Sequence, residues 1–385
     1  MMPPDASSSP TATGGHDRRR RPMRQVLRNR VLASTVLAGF AATTVAACGA
    51  GPQDTPTEAT GSSSIRTVHL ATVQNMLHVP EFVAAQRGIY VKHGLDVKLD
   101  ILQGGADVGK ALESGTAQFG SIGSSTVPTQ RASGLMVKVV APVMNDATTD
   151  TYAGPLGIVG RKDSGVKAND VGSLVGKRVG FQEASTNHDY LLFLLKEKGI
   201  DPKRLDLVPL TTTDHPVSLK QGDIDAVASW EPFVSQEIRD LGDNAVVVSR
   251  GEPTLGYVIG VVATDEEIEK DPELMTRFAS ATAEAMQWTR KNRDGAAKIS
   301  TNYINGLELP VAKDAMKHLR FDPRLSRCTQ DALDKTGVDL VRSGQLKKSA
   351  KGPAMVAPDH MTEVEKKHPE WFSDLPELPE KCRFS

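Results

Sequence analysis

Between residues 65 and 264 the apolar positions switch repeatedly between a period of two and a period of three to four. Leu95, Val97, Leu99 and Ile101 alternate strictly with polar residues, which predicts a half-buried strand. Val79, Phe82 and Val83 around Pro80 share one helical face that Gly88 interrupts, and Val108, Ala111 and Leu112 share another that Gly115 closes. Residues 67–72, 119–122 and 137–143 complete a first set of strands, the last a near-continuous apolar run, interrupted only by Lys138, as expected for a buried parallel strand. A second block repeats the rhythm, with strands at 156–159, 178–181, 205–209, 226–229, 245–249 and 258–263. Helices are predicted between them at 190–198, 216–221 and 233–240. Strand and helix in alternation predict an α/β fold with parallel-rich sheets flanked by helices. From Asp265 onward the pattern is almost wholly helical. Asp271-Pro272-Glu273 is a helix start, and Leu274, Phe278, Ala281, Ala285 and Trp288 form the stripe that follows. The tail from residue 369 reads as an irregular strap.

The N-terminal end is built differently. Seven arginines between Arg18 and Arg30 precede an uncharged apolar stretch, residues 31–47, of about 17 residues. Its length suits a signal-peptide core, with Met23 as an alternative start, and it ends Val45-Ala46-Ala47-Cys48-Gly49. Small residues before a cysteine resemble a bacterial lipobox, in which Cys48 is acylated and becomes the new N-terminus. The arginines resemble a twin-arginine signal only loosely, so the export route stays open. Residues 48–64 are rich in Gly, Pro, Thr and Ser and read as a flexible tether. The overall charge of −1 includes seven Arg and two Asp in residues 1–47, so the remainder stands at about −6. A mildly acidic chain without basic clusters argues against a nucleic-acid partner. Cys328 and Cys382 are the cysteines left, and in an oxidising compartment they are expected either to pair or to remain as two buried thiols.

Four segments together resemble a known family. They are Val79-Pro80-Glu81-Phe82-Val83-Ala84-Ala85 running to His93-Gly94-Leu95-Asp96-Val97; Gly104-Gly105 with Ala111-Leu112-Glu113-Ser114-Gly115 and Phe119-Gly120-Ser121; Leu174-Val175-Gly176-Lys177-Arg178-Val179-Gly180 running to Ser185-Thr186-Asn187-His188; and Leu219-Lys220-Gln221-Gly222-Asp223-Ile224-Asp225-Ala226 ending in Trp230-Glu231-Pro232. Their order and spacing resemble the periplasmic binding proteins for nitrate, sulfonate, taurine and thiamine-precursor uptake. The resemblance implies a two-lobed clamp of the periplasmic binding protein type II, with two hinge crossovers. One lobe would be residues 65–155 plus 260–385, the other 156–259. It further implies an exported, membrane-anchored monomer that serves the permease and ATPase subunits of an ABC importer, with no cofactor and no metal.

In open α/β sheets ligands sit beyond the carboxyl ends of strands, where helices begin. Three such junctions carry short residues: Gly104-Gly105, Gly123-Ser124-Ser125 and Ser185-Thr186-Asn187. Each can offer backbone N–H groups and hydroxyls to an oxyanion, or can serve simply as a helix cap. Trp230 could cover the ligand. Glu231 could either receive a ligand ammonium, as in taurine, or stabilise the helix that follows Pro232. Gln74, Asn75 and His78 can add hydrogen bonds, His78 reading first as structural. Tyr152, Phe181, Tyr190, Trp230 and Tyr257 are the aromatics able to stack a heterocycle. The expected ligand is a small sulfonate, with nitrate, bicarbonate or a thiamine pyrimidine as alternatives.

Enzyme chemistry lacks its motifs. There is no G-x-S-x-G elbow around Ser124, Gly176-Lys177 lacks the glycine spacing of a P-loop, and no pair of histidines has metal-ligand spacing. The same fold resembles yeast-type pyrimidine synthases, whose cysteine-rich iron motif is missing here. A tethered ligand-sensing domain shares the clamp and is the rival of another class.

Overall fold

A computed structural model describes residues 65–148, 154–183, 185–251, 257–348 and 355–384. The expected leader, the Cys48 acylation site, the tether and Tyr152 lie outside them. Ten strands are described: β1 (Arg66–Val73), β2 (Leu95–Leu102), β3 (Phe119–Gly123), β4 (Val137–Asn145), β5 (Leu156–Arg161), β6 (Arg178–Phe181), β7 (Asp206–Pro209), β8 (Ala226–Trp230), β9 (Ala245–Arg250) and β10 (Val258–Thr264). The helices up to β10 are α1 (Val79–Gln86), α2 (Ile89–Lys92), α3 (Gly105–Glu113), α4 (Thr126–Ser133), α5 (Thr186–Glu197), α6 (His215–Gln221) and α7 (Phe233–Leu241). After β10 come α8 (Asp265–Lys270), α9 (Pro272–Lys291), α10 (Arg293–Ser300), α11 (Leu309–Met316), α12 (Arg327–Arg342) and α13 (Pro358–Lys367). The predicted helix at 190–198 begins earlier, at Thr186, because its first turn is polar and carries no apolar period.

The strands form two five-stranded sheets, in the orders β2-β1-β3-β10-β4 and β7-β6-β8-β5-β9. Four strands of each run the same way. The reversed ones are β10, antiparallel to β3 and β4, and β5, antiparallel to β8 and β9. Each is the first strand laid down after the chain crosses between sheets. A chain that leaves one sheet at its carboxyl edge and enters the other at the facing edge must run away from that edge, against its neighbours. The sheets are therefore mixed rather than parallel, and the carboxyl ends of eight strands face one another.

Alternation along the strands sends side chains into cores on both faces of the first sheet. Leu70, Phe119, Val140 and Val261 lie in one buried cluster, while Ala71, Ile122, Val139 and Val262 lie in another. Asp271 caps α9 by accepting from Leu274 N–H at 2.9 Å, as its sequence position predicts, and Phe278 of that helix packs on Phe119 with ring centroids 4.1 Å apart.

The crossovers meet at two glycines. Gly154 and Gly251 both hold positive φ, 79° and 61°, and a Cβ on Gly251 would stand 2.9 Å from the Gly154 Cα. Any side chain at 251 is excluded both by that approach and by its backbone conformation. Beside them Arg250 donates to Glu231 Oε1 at 2.6 Å and to Gly154 O at 3.4 Å. Glu231 also accepts from Ser235 N–H at 3.2 Å, in the first turn of α7.

The C-terminal segment is fastened to the first sheet. Val139 N–H donates to Met355 O and Ala357 N–H to Val139 O, at 2.9 and 2.8 Å, which covers the β4 edge. The start of α12 has a reciprocal capping box between Ser326 and Thr329, and Asn145 Nδ2 donates to Arg324 O at 2.9 Å. Cys328 and Cys382 are bonded to each other, their Cα atoms 4.8 Å apart, across 54 positions of sequence. Closing a loop of that length restricts the unfolded chain by about 4 kcal/mol. Reduction, or Cys328→Ser with Cys382→Ser, is expected to lower the thermal midpoint by several degrees. A midpoint unchanged by reductant would contradict that role for the staple.

Candidate functional site

Three strand-to-helix junctions converge on one cleft of about 220 Å³ between the facing sheet edges. Gly104, Gly105 and Ala106 come from the start of α3, Ser125 and Thr126 from α4, and Ser185 and Thr186 from α5. Two of these helices follow strands of the first sheet and one follows a strand of the second. Among the described residues none of the three has a side-chain cap. The Ser185 hydroxyl instead donates to Gln182 O at 2.6 Å and to Asn187 Oδ1 at 2.8 Å. The Ser125 hydroxyl pairs with the Thr186 hydroxyl at 2.9 Å, joining the two sides of the cleft. First-turn N–H groups left without side-chain acceptors carry partial positive charge, so three such ends pointing at one small volume favour an anion.

Gly105 makes that convergence possible. A Cβ there would lie 2.7 Å from Thr126 Oγ1, so a side chain would force the starts of α3 and α4 apart.

Among the described residues lining the cleft there is no lysine or arginine, and Asp189 is the one carboxylate. It accepts from Gln345 Nε2 at 2.5 Å and from the Ser125 hydroxyl. Burial pushes its carboxyl up to about 6, against those two hydrogen bonds. Trp230 and Tyr257 supply the aromatic wall, and the buried Trp230 indole N–H has no partner among the described residues. Burial pushes the Tyr257 phenol well up, opposed by its bond to Thr186.

Of the residues singled out from sequence, Asn75, His78, Gly104, Gly105, Ser125, Ser185, Thr186 and Trp230 line this cleft. Gln74, Ser124, Asn187 and Glu231 do not. Gln74 turns away and donates to Tyr303 O at 3.0 Å. Ser124 is buried behind the junction, and Asn187 is a turn-former whose Oδ1 receives Gln182 N–H at 3.1 Å as well as the Ser185 hydroxyl. Glu231 corrects the expectation of an ammonium partner. It is 0% exposed and already neutralised by Arg250, so the alternative role at the start of α7 describes it better. Phe181 packs against the His188 ring and Tyr190 donates to Gly251 O, both away from the cleft. Sequence reasoning missed Asp189, Gln103, Gln130 and Gln182. It also missed Leu340, Gln345 and Leu346, which arrive from the C-terminal segment.

A buried His–Ser–Glu group touches the cleft wall and invites a catalytic reading. Ser121 Oγ and Thr72 Oγ1 meet His78 Nδ1 at 2.9 and 3.1 Å, and Glu81 Oε1 stands 3.6 Å from that same nitrogen. A proton relay needs the hydroxyl on one ring nitrogen and the acid on the other. All three crowd one nitrogen here, so the cluster ties β1, α1 and β3 together rather than activating a serine.

The sequence profile described as NMT1/THI5 like matches residues 75–296, which holds β2 to β10 and all three helix starts. The chain belongs to the NMT1/THI5-like family. A taurine-binding periplasmic protein of Escherichia coli (strain K12) is 30% identical over 212 residues, 54% of this chain and 62% of that protein, just under two thirds of its length. A putative aliphatic sulfonates-binding protein of Bacillus subtilis (strain 168) is 24% identical over 244 residues, 62% of this chain and 70% of the relative. In fold the chain is similar to the periplasmic aliphatic sulphonate binding protein SsuA from Escherichia coli, with a TM-score of 0.62 at 20% identity. That likeness covers 74% of this chain and 95% of SsuA. The periplasmic binding protein fold expected of the sequence is the fold observed.

Proposed function

We propose that this family member is the exported solute-binding component of an ABC importer, and that it captures a small sulfonate with a cationic tail, taurine-like in chemistry. The observation that carries the reading is the convergence of three helix starts without side-chain caps on a cleft that, among the described residues, has no lysine or arginine and one half-buried carboxylate. The volume, about 220 Å³, is below the roughly 300–1,000 Å³ of drug-sized sites and suits a handful of heavy atoms. A sulfonate has three oxygens for the three sets of N–H groups and the Trp230 indole. Asp189 opposes a bare anion but matches a ligand that brings its own ammonium, the role first expected of Glu231.

Because α3 and α4 follow one sheet and α5 the other, a bound sulfonate bridges two lobes, 65–155 with 260–385 and 156–259. Hinge closure about Gly154 and Gly251 would then present the loaded protein to a permease and its ATPase. Acylation of Cys48 would hold the monomer at the outer face of the cytoplasmic membrane. In this reading the protein is not an enzyme.

Thermal unfolding with taurine, ethanesulfonate, nitrate, bicarbonate and hydroxymethylpyrimidine tests it. A ligand at 100 times its dissociation constant adds about 2.7 kcal/mol, a rise of several degrees. Taurine is expected to give the largest shift and nitrate a small one. A shift with the pyrimidine alone would replace the anion reading by stacking on Trp230 and Tyr257. Silence from every compound would leave a sensor of some other ligand.

A further inference from the structure

The family match ends at residue 296, yet Leu340, Gln345 and Leu346 line the ligand cleft. They come from α12 and the turn after it. The turn is set by Gly344 at a φ of 83°, with the N–H groups of Gln345 and Leu346 both returning to Leu340 O, at 2.9 and 3.0 Å. A left-handed glycine after the last helical turn reverses the chain, and here the reversal carries those two side chains to the cleft. The start of α12 is held on the first-sheet side by the Cys328–Cys382 bond and by Asn145. Its far end meets α5, which follows β6 of the second sheet. Gln345 Nε2 reaches Asp189 Oδ1 at 2.5 Å, and the Lys335 ammonium lies 5.2 Å from the centre of the Phe193 ring. The seam between α5 and α12 is incompletely filled, leaving a crevice of about 80 Å³.

We propose that Arg327–Leu346 is a third wall of the ligand cleft, stapled to one lobe and resting on the other, and that Leu346 and Gln345 set how long a sulfonate tail the cleft admits. This rests on the sulfonate reading above. The helix starts fix the head of the ligand at one end of the cleft, so the tail must run along what remains. Leu346 is an apolar stop beside that path, and Gln345 holds the Asp189 carboxylate in place. Leu346 is half-buried, so its truncation enlarges the cleft without opening a deep core.

Two measurements on the purified protein test the wall and the length rule separately. In ligand-free protein, carboxyl-carbon NMR follows the titration of Asp189 in wild type and in Gln345→Leu. Loss of the amide donor is expected to raise the midpoint. An unmoved midpoint overturns the contact whatever the ligand is. Calorimetry then ranks ethane-, propane- and butanesulfonate. Burying a methylene is worth roughly fourfold in affinity. Leu346→Ala is therefore expected to raise the butane-to-ethanesulfonate affinity ratio about tenfold, and Leu346→Trp to lower it. A ratio that neither variant changes, with wild type binding sulfonates, overturns the length rule. Failure of wild type to bind any sulfonate overturns the sulfonate reading and the length rule together, while the NMR result still decides the wall.

Discussion

Arg250→Met is expected to destabilise the protein by about 3–5 kcal/mol. Glu231 is fully buried, and Arg250, with little of its side chain exposed, is its ion partner at 2.6 Å. Burial raises the Glu231 carboxyl and Arg250 draws it back, so removing the guanidinium leaves a buried carboxylate held, among the described residues, only by the Ser235 N–H and hydroxyl. Breaking a buried pair from one side costs far more than the pair contributes, because the surviving charge keeps its full desolvation penalty. Arg250 also reaches Gly154 O, so the loss falls where the two crossovers touch. Urea unfolding measures the effect. Adding Glu231→Gln to Arg250→Met is expected to recover much of the loss, since both charges are then gone. A loss below about 1 kcal/mol for Arg250→Met would show that the pair is screened and the crossovers are held otherwise.

Asp189→Asn is expected to act with opposite signs on stability and on binding. The folded carboxyl is pushed up to about 6, from an ordinary value near 4, so the folded chain holds that proton more tightly than the unfolded one. The contribution therefore favours the fold below about pH 4 and is lost as pH rises through 6. A displacement of that size corresponds to about 3 kcal/mol, an upper bound because water in the open cleft screens the charge. The ligand-free variant should be more stable than wild type at pH 7.5, with the difference closing towards pH 4. Taurine should bind at least 30-fold more weakly, from the loss of about 2 kcal/mol or more in a desolvated charge pair. Ethanesulfonate, which has no ammonium, should bind as well as before or better. Equal losses for both ligands would remove Asp189 from the ammonium site. A half-buried acid that costs stability until a cation arrives is what the proposed ammonium site requires.

The fold was legible because its elements repeat. Strict alternation marked β2, a near-continuous apolar run marked β4, and glycines at 88 and 115 stood where helices end. The reversed direction of β5 and β10 was not legible, because direction is decided by where a chain crosses between sheets, and no local period encodes that. The three helix starts that line the cleft could be read from short residues placed after strands, although the same residues could have been caps. What separates the readings is where the hydroxyls go: Ser185 bonds Gln182 and Asn187, and Ser125 bonds Thr186. Glu231 misled because a carboxylate at a strand end looks available until its partner is known, and Arg250 lies on another strand. Asp189 was overlooked because one acid in a helix's first turn is ordinary. Gln345 and Leu346 carried no signal at all, since their place in the cleft depends on the anchored start of α12 and the turn at Gly344.

A crystal structure with taurine bound tests the central claim most directly. The sulfonate is expected among the first-turn N–H groups at Gly105, Thr126 and Thr186, with the ammonium within hydrogen-bond distance of Asp189 and Leu346 beside the tail. A sulfonate bound elsewhere, or one inverted so that its oxygens face Asp189, would contradict it.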